Sequence, residues 1–150
     1  MGLTLQSSAF SDGQEIPRKH GHKNGNHSPS LQISNVPSNT QSLALIMDDP
    51  DAMAPAGKVW VHWVVWNIDP STTEIPEDST PSGSIEGNTD FGAVGYGGPA
   101  PPDKRHTYVF KLYALDTKLE LSKGATKAEV EDAMKEHVIE ETVLKGTYAP

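Results

Sequence analysis

The chain of 150 residues has 20 acidic and 12 basic residues, no cysteine and a net charge of −8. A chain of this length buries roughly 68–70% of its extended surface, so we expect a single domain over residues 1–150 without cross-links. The composition excludes disulfides and thiolate chemistry, and the negative charge argues against nucleic-acid binding and anionic membrane surfaces.

Neither the amino-terminal sequence nor the hydropathy pattern predicts a targeting or membrane segment. Residues 1–10 lack the basic start and the long apolar run of a secretory signal. No apolar stretch approaches the ~20 residues needed to span a bilayer. We therefore expect a cytoplasmic protein without stable membrane insertion.

The first half of the chain predicts loops followed by two buried strands. Residues 11–37 are polar, with closely spaced glycines and prolines, which favours loop with short strands at most. Residues 43–47 form an apolar run that stops at Asp48-Asp49-Pro50, and residues 59–68 are rich in Val and Trp. Short apolar runs with β-branched and aromatic residues indicate buried strands.

The second half predicts a long loop, a strand, a helix and a last strand. Residues 70–98, with three prolines at 70, 76 and 81, should form a surface excursion of the kind that often shapes a site. Residues 107–115 alternate as a strand with one buried face does. A capping-box sequence from Thr126 to Glu129 predicts a helix start, and the apolar side of this helix should carry Val130, Ala133, Met134 and His137.

Residues 138–148 complete this pattern, because their β-branched residues predict a final strand after the helix. One late helix among many strands predicts a β-dominated α+β fold.

Acidic, imidazole and phenol side chains occur where predicted strands begin or end. Asp49 and Asp51 follow one strand, His62 lies in the next, and His106 and Tyr108 stand at the start of a third. A carboxylate beside an imidazole favours its protonated form, which can donate two hydrogen bonds to an anion. The pattern therefore predicts a pocket for phosphate or carboxylate.

All of these residues except His106 also have a purely structural interpretation. Within an apolar run, His62 suits a structural role, and an Asp next to Pro commonly caps turn amides. Tyr108 equally suits a packed ring whose hydroxyl bonds a carbonyl. The coincidence of all of them in comparable places favours the pocket.

Three other motifs do not predict a functional site. Residues 95–100 fit G-x-G-x-x-A, but the prolines at 99, 101 and 102 prevent the helix that a dinucleotide site needs. His20, His22 and His27 have no carboxylate nearby in the sequence, so no metal site is expected. Residues 83–87 lack the spacing of a serine nucleophile. We therefore predict no cofactor and no enzymatic activity.

Six short runs occur in order along nearly the whole chain: N-H-S-P at 26–29, D-P-D-A at 49–52, H-W-V-V at 62–65, G-P-A-P-P at 98–102, H-T-Y at 106–108 and G-T-Y at 146–148. Together they resemble the phosphatidylethanolamine-binding protein family, in the compact form of the prokaryotic Raf-kinase-inhibitor-like proteins. The resemblance implies a large central β-sheet packed on a smaller sheet, with few helices.

The resemblance also implies a small anion pocket that accepts phosphate, acetate, cacodylate or the phosphoethanolamine headgroup. The ligand-binding residues that it implies are Asp49, His62, Gly98, His106 and Tyr108, with Gly98 offering backbone at the rim. The residues expected to shape the pocket are Asp51, Pro50, Pro99 and Pro101.

Two departures from the family pattern concern this pocket. The proline of D-P-D-A-P is displaced to Pro55, so the loop over residues 51–58 is longer and its shape stays open. The long C-terminal helix of the animal members has no counterpart before Pro150, so we expect a more open pocket with weaker headgroup selectivity.

The leading hypothesis is a non-enzymatic binding or regulatory protein that recognises a phosphorylated small molecule or protein segment. An alternative is a serine protease inhibitor acting through a surface loop within residues 71–90. A third is a hydrolase that uses His62 and Asp49 as acid and base. Expected partners are a small anionic or phosphorylated ligand and a kinase or serine protease, and a homodimer is left open.

Overall fold

The computed structural model describes residues 2–150, which form two antiparallel sheets and two helices. The strands are β1 (Thr4–Gln6), β2 (Leu31–Ser34), β3 (Ser42–Asp49), β4 (Trp60–Ile68), β5 (Glu74–Ile75), β6 (Ile85–Glu86), β7 (His106–Leu115) and β8 (Val138–Tyr148). The helices are α1 (Met53–Ala56) and α2 (Lys127–Met134), and 3-10 turns occupy Arg18–His20 and Pro50–Ala52. The large sheet has the order β6-β4-β3-β7-β8 and the small sheet the order β1-β2-β5.

The predicted β-dominated α+β fold, with a large sheet on a smaller one, is confirmed. All four long predicted strands are present, and β8 has the predicted bounds. The capping box also forms: Thr126 Oγ1 accepts a bond from the Glu129 amide at 3.2 Å, and Glu129 Oε1 accepts one from the Thr126 amide at 2.9 Å. The helix ends at Met134, so the prediction that His137 shares its apolar side is wrong.

Two strands of the small sheet, β2 and β5, come from segments that were predicted mainly as loop, and β1 precedes residue 11, where no element was predicted. The strands of this sheet contain two to four residues each, which is too short for a periodic pattern to emerge in the sequence. None of the helical segments within residues 2–150 combines the length and the apolar character needed to cross a membrane.

The large sheet is covered on both faces. One face packs on the small sheet through a core that includes Leu5, Ile33, Leu45, Trp63 and Phe110. The opposite face packs on α2 through a second core, whose buried members are Ala44, Ile46, Val64, Trp66, Leu115, Leu119, Val130 and Met134. Burial on both faces explains why the apolar residues of β3 do not alternate with polar ones, since all eight of its residues are buried.

The topology brings three strand ends together. β3 is antiparallel to both of its neighbours, so its last residues meet the first residues of β4 and β7. In this register Asp49 lies opposite Trp60, and Asp48 lies opposite Val109. Side chains at the end of β3 and at the starts of β4 and β7 therefore share one edge of the sheet.

A β-bulge in β4 re-aims one of these side chains. Met47 pairs with Trp63 but Asp48 pairs with Val61, which leaves His62 as the extra residue. Trp63 packs in the core between the sheets and Val61 packs against the core on the opposite face. The bulge thus lets His62 and Trp63 lie on the same side, a use of bulges common beside functional sites.

Candidate functional site

A cavity of about 200 Å³ opens at the edge where β3, β4 and β7 meet. Four of the residues predicted to bind a ligand line it together: Asp49, His62, His106 and Tyr108. The rest of the lining is apolar and consists of Ala52, Pro55, Ala56, Trp60, Phe91, Ala100 and Pro102. The cavity therefore combines a few polar groups with apolar walls, as small-molecule sites usually do.

Asp49 links the end of β3 to the two elements beside it. Its Oδ2 lies 2.6 Å from His106 Nδ1, and its Oδ1 accepts a bond from the Asp51 amide at 2.9 Å. Asp51 Oδ2 in turn accepts a bond from the Thr107 amide at 2.8 Å. The D-P-D motif therefore holds the start of β7 against the end of β3.

The longer loop over residues 51–58 forms one wall of the cavity. Pro50, whose fixed φ suits the first position of a helix, starts the 3-10 turn, and α1 follows directly. Gly57 ends α1 in the left-handed conformation, with a φ of 75°. This path brings Pro55 and Ala56 to the cavity.

The ring of His106 is buried between two carboxylates. Nδ1 faces Asp49 at 2.6 Å and Nε2 faces Asp103 Oδ1 at 2.7 Å. An ionised carboxylate only accepts hydrogen bonds, so both nitrogens carry a proton and the ring is an imidazolium. Burial acts to lower the pKa of His106, but the bonds to Asp49 and Asp103 outweigh it and the pKa is raised.

In the buried pair of Asp49 and His106, burial and hydrogen bonding shift the pKa of Asp49 in opposite directions. Burial raises the pKa of the Asp49 carboxyl, and its bond to His106 acts in the other direction. Because the ring also faces Asp103, we assign the shared proton to His106.

His62 has the opposite protonation state. Its Nδ1 lies 2.6 Å from the carbonyl oxygen of Gly97, which only accepts, so Nδ1 carries the proton. Burial lowers the pKa of His62 to about 4, and the ring is neutral at physiological pH. Its Nε2 is then a hydrogen-bond acceptor.

Tyr108 stays in its neutral form beside these groups. Burial raises its pKa, and the charge of Asp49 adds to this effect. The Tyr108 ring packs edge-on to His62, with centroids 5.1 Å apart. Its hydroxyl therefore keeps its proton.

Phe91 supplies an apolar wall from within the long excursion predicted over residues 70–98. His22 stacks on its ring with centroids 4.2 Å apart, and His62 packs against its edge at 5.4 Å. Trp60 packs edge-on to the same ring at 5.7 Å. The excursion thus contributes to the site directly, as its length suggested.

The remaining residues of the G-P-A-P-P run take different positions. Gly98 does not line the cavity; its amide donates to Asn26 Oδ1 at 2.7 Å, and a Cβ there would collide with the backbone of His20. All four residues from Pro99 to Pro102 line a neighbouring depression, and Ala100 and Pro102 also line the cavity. Pro99 and Pro101, which were expected to shape the pocket, therefore lie beside it.

Two residues of the site, Asp103 and Gly97, have no signal in the sequence that would single them out, and a third has only a weak one. Asp103 bonds His106 only because a bend at residues 102–104 turns it back onto the ring. Gly97 acts through its carbonyl oxygen, which any residue carries. Phe91 offered a weak signal as a large apolar residue within a polar, glycine-rich stretch.

Comparison with known proteins assigns the family. A sequence model described as phosphatidylethanolamine-binding protein matches residues 6–149. The chain belongs to the phosphatidylethanolamine-binding protein family. Proteins of this family are in general non-catalytic binding proteins.

Individual phosphatidylethanolamine-binding-family relatives match over nearly the full chain. A UPF0098 protein of Methanothermobacter thermautotrophicus is 45% identical, with 97% of this chain and 98% of the relative covered. The crystal structure of a phosphatidylethanolamine-binding protein homologue, CT736 of Chlamydia trachomatis, has a TM-score of 0.93 at 38% identity and covers 98% of this chain and 97% of the homologue. Escherichia coli YbcL gives a TM-score of 0.91 at 34% identity, with 99% and 98% covered.

Proposed function

We propose that this chain is a non-enzymatic binding protein whose cavity accepts a small phosphate-type anion. The observation that carries the proposal is the His106 imidazolium on the cavity wall, a buried cation whose Nε2 proton is held only by the partly exposed Asp103. The cavity lining found within residues 2–150 contains no lysine or arginine, so an anion there depends on His106. Hydrogen bonds between ionised groups are the stronger ones, which makes a single cationic donor effective.

The two histidines favour a phosphate group that retains a proton. The His106 ring donates, whereas His62 Nε2 accepts. A phosphate carrying one proton offers both an ionised oxygen and a P–OH donor, and the second pKa of a phosphate monoester is about 6. Sulfate has the same shape but no proton at neutral pH, so it leaves His62 without a donor. The cavity should therefore prefer phosphate to sulfate.

The size of the cavity limits what surrounds the phosphate. About 200 Å³ is below the roughly 300–1,000 Å³ typical of sites for drug-sized ligands. It suits free phosphate, a phosphoethanolamine headgroup or a phosphorylated side chain. The apolar walls of Trp60, Phe91 and Pro55 provide contacts for the carbon atoms of such a ligand.

The proposal is tested by NMR on the full chain, titrated separately with inorganic phosphate, O-phosphoethanolamine, phosphoserine and sulfate. We expect saturable shifts at Asp49, His62 and Tyr108, with phosphate binding more tightly than sulfate. His62→Gln and His106→Gln should each weaken phosphate binding. The order of affinity for inorganic phosphate, O-phosphoethanolamine and phosphoserine distinguishes free phosphate, a headgroup and a phosphorylated side chain as the preferred ligand.

His137→Gln is the matched control. His137 also bonds an aspartate, Asp116 Oδ1 at 2.8 Å, but its side chain is 45% exposed and lies outside the cavity lining. The control should bind phosphate as the wild type does. The proposal would be refuted if the wild type showed no saturable shifts at millimolar phosphate. It would also be refuted if His62→Gln, His106→Gln and His137→Gln all lost phosphate affinity equally.

The two alternative functions stay predictions. A protease inhibitor would act through residues 71–90, and titration of chymotrypsin-like, elastase-like and subtilisin-like proteases tests it. The hydrolase hypothesis needs Asp49 beside His62, but the Asp49 oxygens bond His106 and the Asp51 amide instead. No observation favours either alternative over anion binding.

A further inference from the structure

The two carboxylates that bond the His106 ring differ in how readily their hydrogen bonds to it can be broken. The Asp49 side chain is 4% exposed and that of Asp103 is 37% exposed. Asp49 ends β3 and also bonds the Asp51 amide, whereas Asp103 lies in the bend at residues 102–104. Asp49 is therefore a fixed partner of the ring and Asp103 is a replaceable one.

Asp103 is not among the residues that line the cavity, but it holds the hydrogen-bonding position on His106 that an anion needs. With Nδ1 committed to Asp49, the proton on Nε2 is the remaining donor of the imidazolium, and Asp103 accepts it at 2.7 Å. A phosphate oxygen and the Asp103 carboxylate thus compete for one N–H. Both are negative, so they also repel each other when close.

The chain around Asp103 allows a local displacement. Arg105 is anchored by bonds from Nη1 to Glu15 Oε1 at 2.9 Å and to Thr147 Oγ1 at 3.2 Å. His106 belongs to β7 and is buried. Movement of Asp103 therefore involves the bend at residues 102–104 and leaves the strand in place.

We propose that Asp103 is the built-in occupant of the anion site and weakens the binding of every anion that takes the His106 Nε2 proton. This inference rests on the proposed function. A ligand must replace the bond that Asp103 makes to Nε2, and a simple carboxylate such as acetate gains little by doing so. A phosphate that keeps one proton replaces that bond and also donates to His62 Nε2. The preference for phosphate over acetate therefore comes from His62, and Asp103 sets how tightly either anion binds.

The test compares Asp103→Ala and Asp103→Asn with the wild type in titrations with inorganic phosphate and with acetate. We expect Asp103→Ala to bind phosphate about threefold more tightly, a modest gain because the carboxylate that competes for Nε2 also stabilises the imidazolium. Acetate should gain by about the same factor as phosphate, because both anions displace the same carboxylate, so the ratio of the two dissociation constants should stay unchanged. Asp103→Asn, which keeps a neutral acceptor, should fall between the wild type and Asp103→Ala.

Asp132→Asn is the control for net charge. It also removes one carboxylate, but from α2, where the Asp132 side chain is 81% exposed and 3.8 Å from Lys135 Nζ. It should bind both anions as the wild type does. An equal gain in Asp132→Asn would show a general effect of charge and overturn the inference.

The outcomes separate this inference from the proposed function. Wild-type phosphate binding with no gain in Asp103→Ala overturns the inference and leaves the function standing. Phosphate binding that is detectable only in the Asp103 variants supports the inference and refutes phosphate binding by the wild-type chain. Absence of binding in the wild type and in both variants overturns both.

Discussion

The Asp49 carboxylate and the His106 ring form an almost wholly buried ion pair, with Oδ2 2.6 Å from Nδ1. The two residues come from the end of β3 and the start of β7 and are 57 positions apart in the chain. Asp49 also holds the Asp51 amide through its other oxygen, so one carboxylate orients the ring and anchors the D-P-D turn. Fold and site consequently depend on the same bonds.

Asp49→Asn should lower the pKa of His106, weaken phosphate binding and destabilise the fold. The amide is close in shape to the carboxylate but has no charge to stabilise the imidazolium. Breaking a buried pair costs roughly 3–5 kcal/mol, and we expect about 3 kcal/mol because an amide oxygen still accepts hydrogen bonds. Urea unfolding and NMR titration of the His106 ring measure the two effects.

Asp132→Asn again serves as the control for Asp49→Asn and should leave the His106 pKa unchanged. If the pKa of His106 in Asp49→Asn equals that of the wild type, the assignment of the proton to this ring is contradicted.

His62 should make the protein less stable as the pH falls from about 6.5 to about 4. Burial lowers the pKa of the folded-state ring from 6.5 to about 4. Between these values the unfolded chain binds a proton that the folded chain does not, so stability decreases as the pH falls. His62→Gln should remove up to about 3 kcal/mol of this decrease.

The measurement is the difference between the unfolding free energies at pH 7.5 and pH 4.5, because the substitution also removes the bond to Gly97. Burial likewise lowers the pKa of His20, so His20 makes the same contribution to the pH dependence of stability in the wild type and in His62→Gln. An identical difference in His62→Gln and the wild type would contradict a neutral buried His62.

Asp48→Asn should lower stability without changing phosphate binding. Asp48 is buried on the face of the large sheet opposite the cavity, with Oδ2 3.1 Å from Lys111 Nζ and 2.9 Å from Lys127 Nζ. Its loss removes the carboxylate that two ammonium groups share, but both lysine side chains retain contact with water, and Lys127 Nζ keeps Glu131 Oε2 at 3.9 Å. We therefore expect Asp48→Asn to lower the unfolding free energy by about 2 kcal/mol, which is less than the roughly 3–5 kcal/mol lost when a fully buried pair is broken.

Chemical denaturation and phosphate titration of the same sample check the Asp48→Asn prediction. Asp132→Asn, whose ion pair is exposed, should change the unfolding free energy by less than about 0.5 kcal/mol. Weaker phosphate binding in Asp48→Asn would show that the two faces of the sheet are coupled.

The elements that could be predicted are those with a local cause in the sequence. Thr126 and Glu129 cap α2 through bonds between neighbouring residues, and the apolar runs of β3 and β4 are long enough to identify. The strands of the small sheet are stabilised by packing and by pairing across long separations. Their short segments therefore carried no comparable signal.

The same reasoning applies to the site. The motifs predicted Asp49, His62, His106 and Tyr108, and the structure brings these residues to one cavity. They did not predict the bulge that re-aims His62, because a bulge depends on the pairing of two strands. Asp103 also escaped prediction, because its role depends on a bend in a proline-rich segment.

Gly98→Ala should destabilise the protein through backbone contact alone. A Cβ at this position would collide with the carbonyl oxygen of His20 and lie 2.9 Å from the amide nitrogen of His22. Neither backbone atom can move freely, so we expect a loss of about 2 kcal/mol. Displacement of this segment also moves the Gly97 carbonyl away from His62, and phosphate binding should weaken.

Gly92→Ala is the comparison for Gly98→Ala, since it adds the same methyl group where nothing lies within 4 Å. Its cost comes instead from the φ of 77° and should be about 1 kcal/mol. Gly92→Ala should therefore lose less stability than Gly98→Ala, as urea unfolding measures. The reverse order would mean that the close approach of residues 20–22 to Gly98 is not a tight constraint on this part of the site.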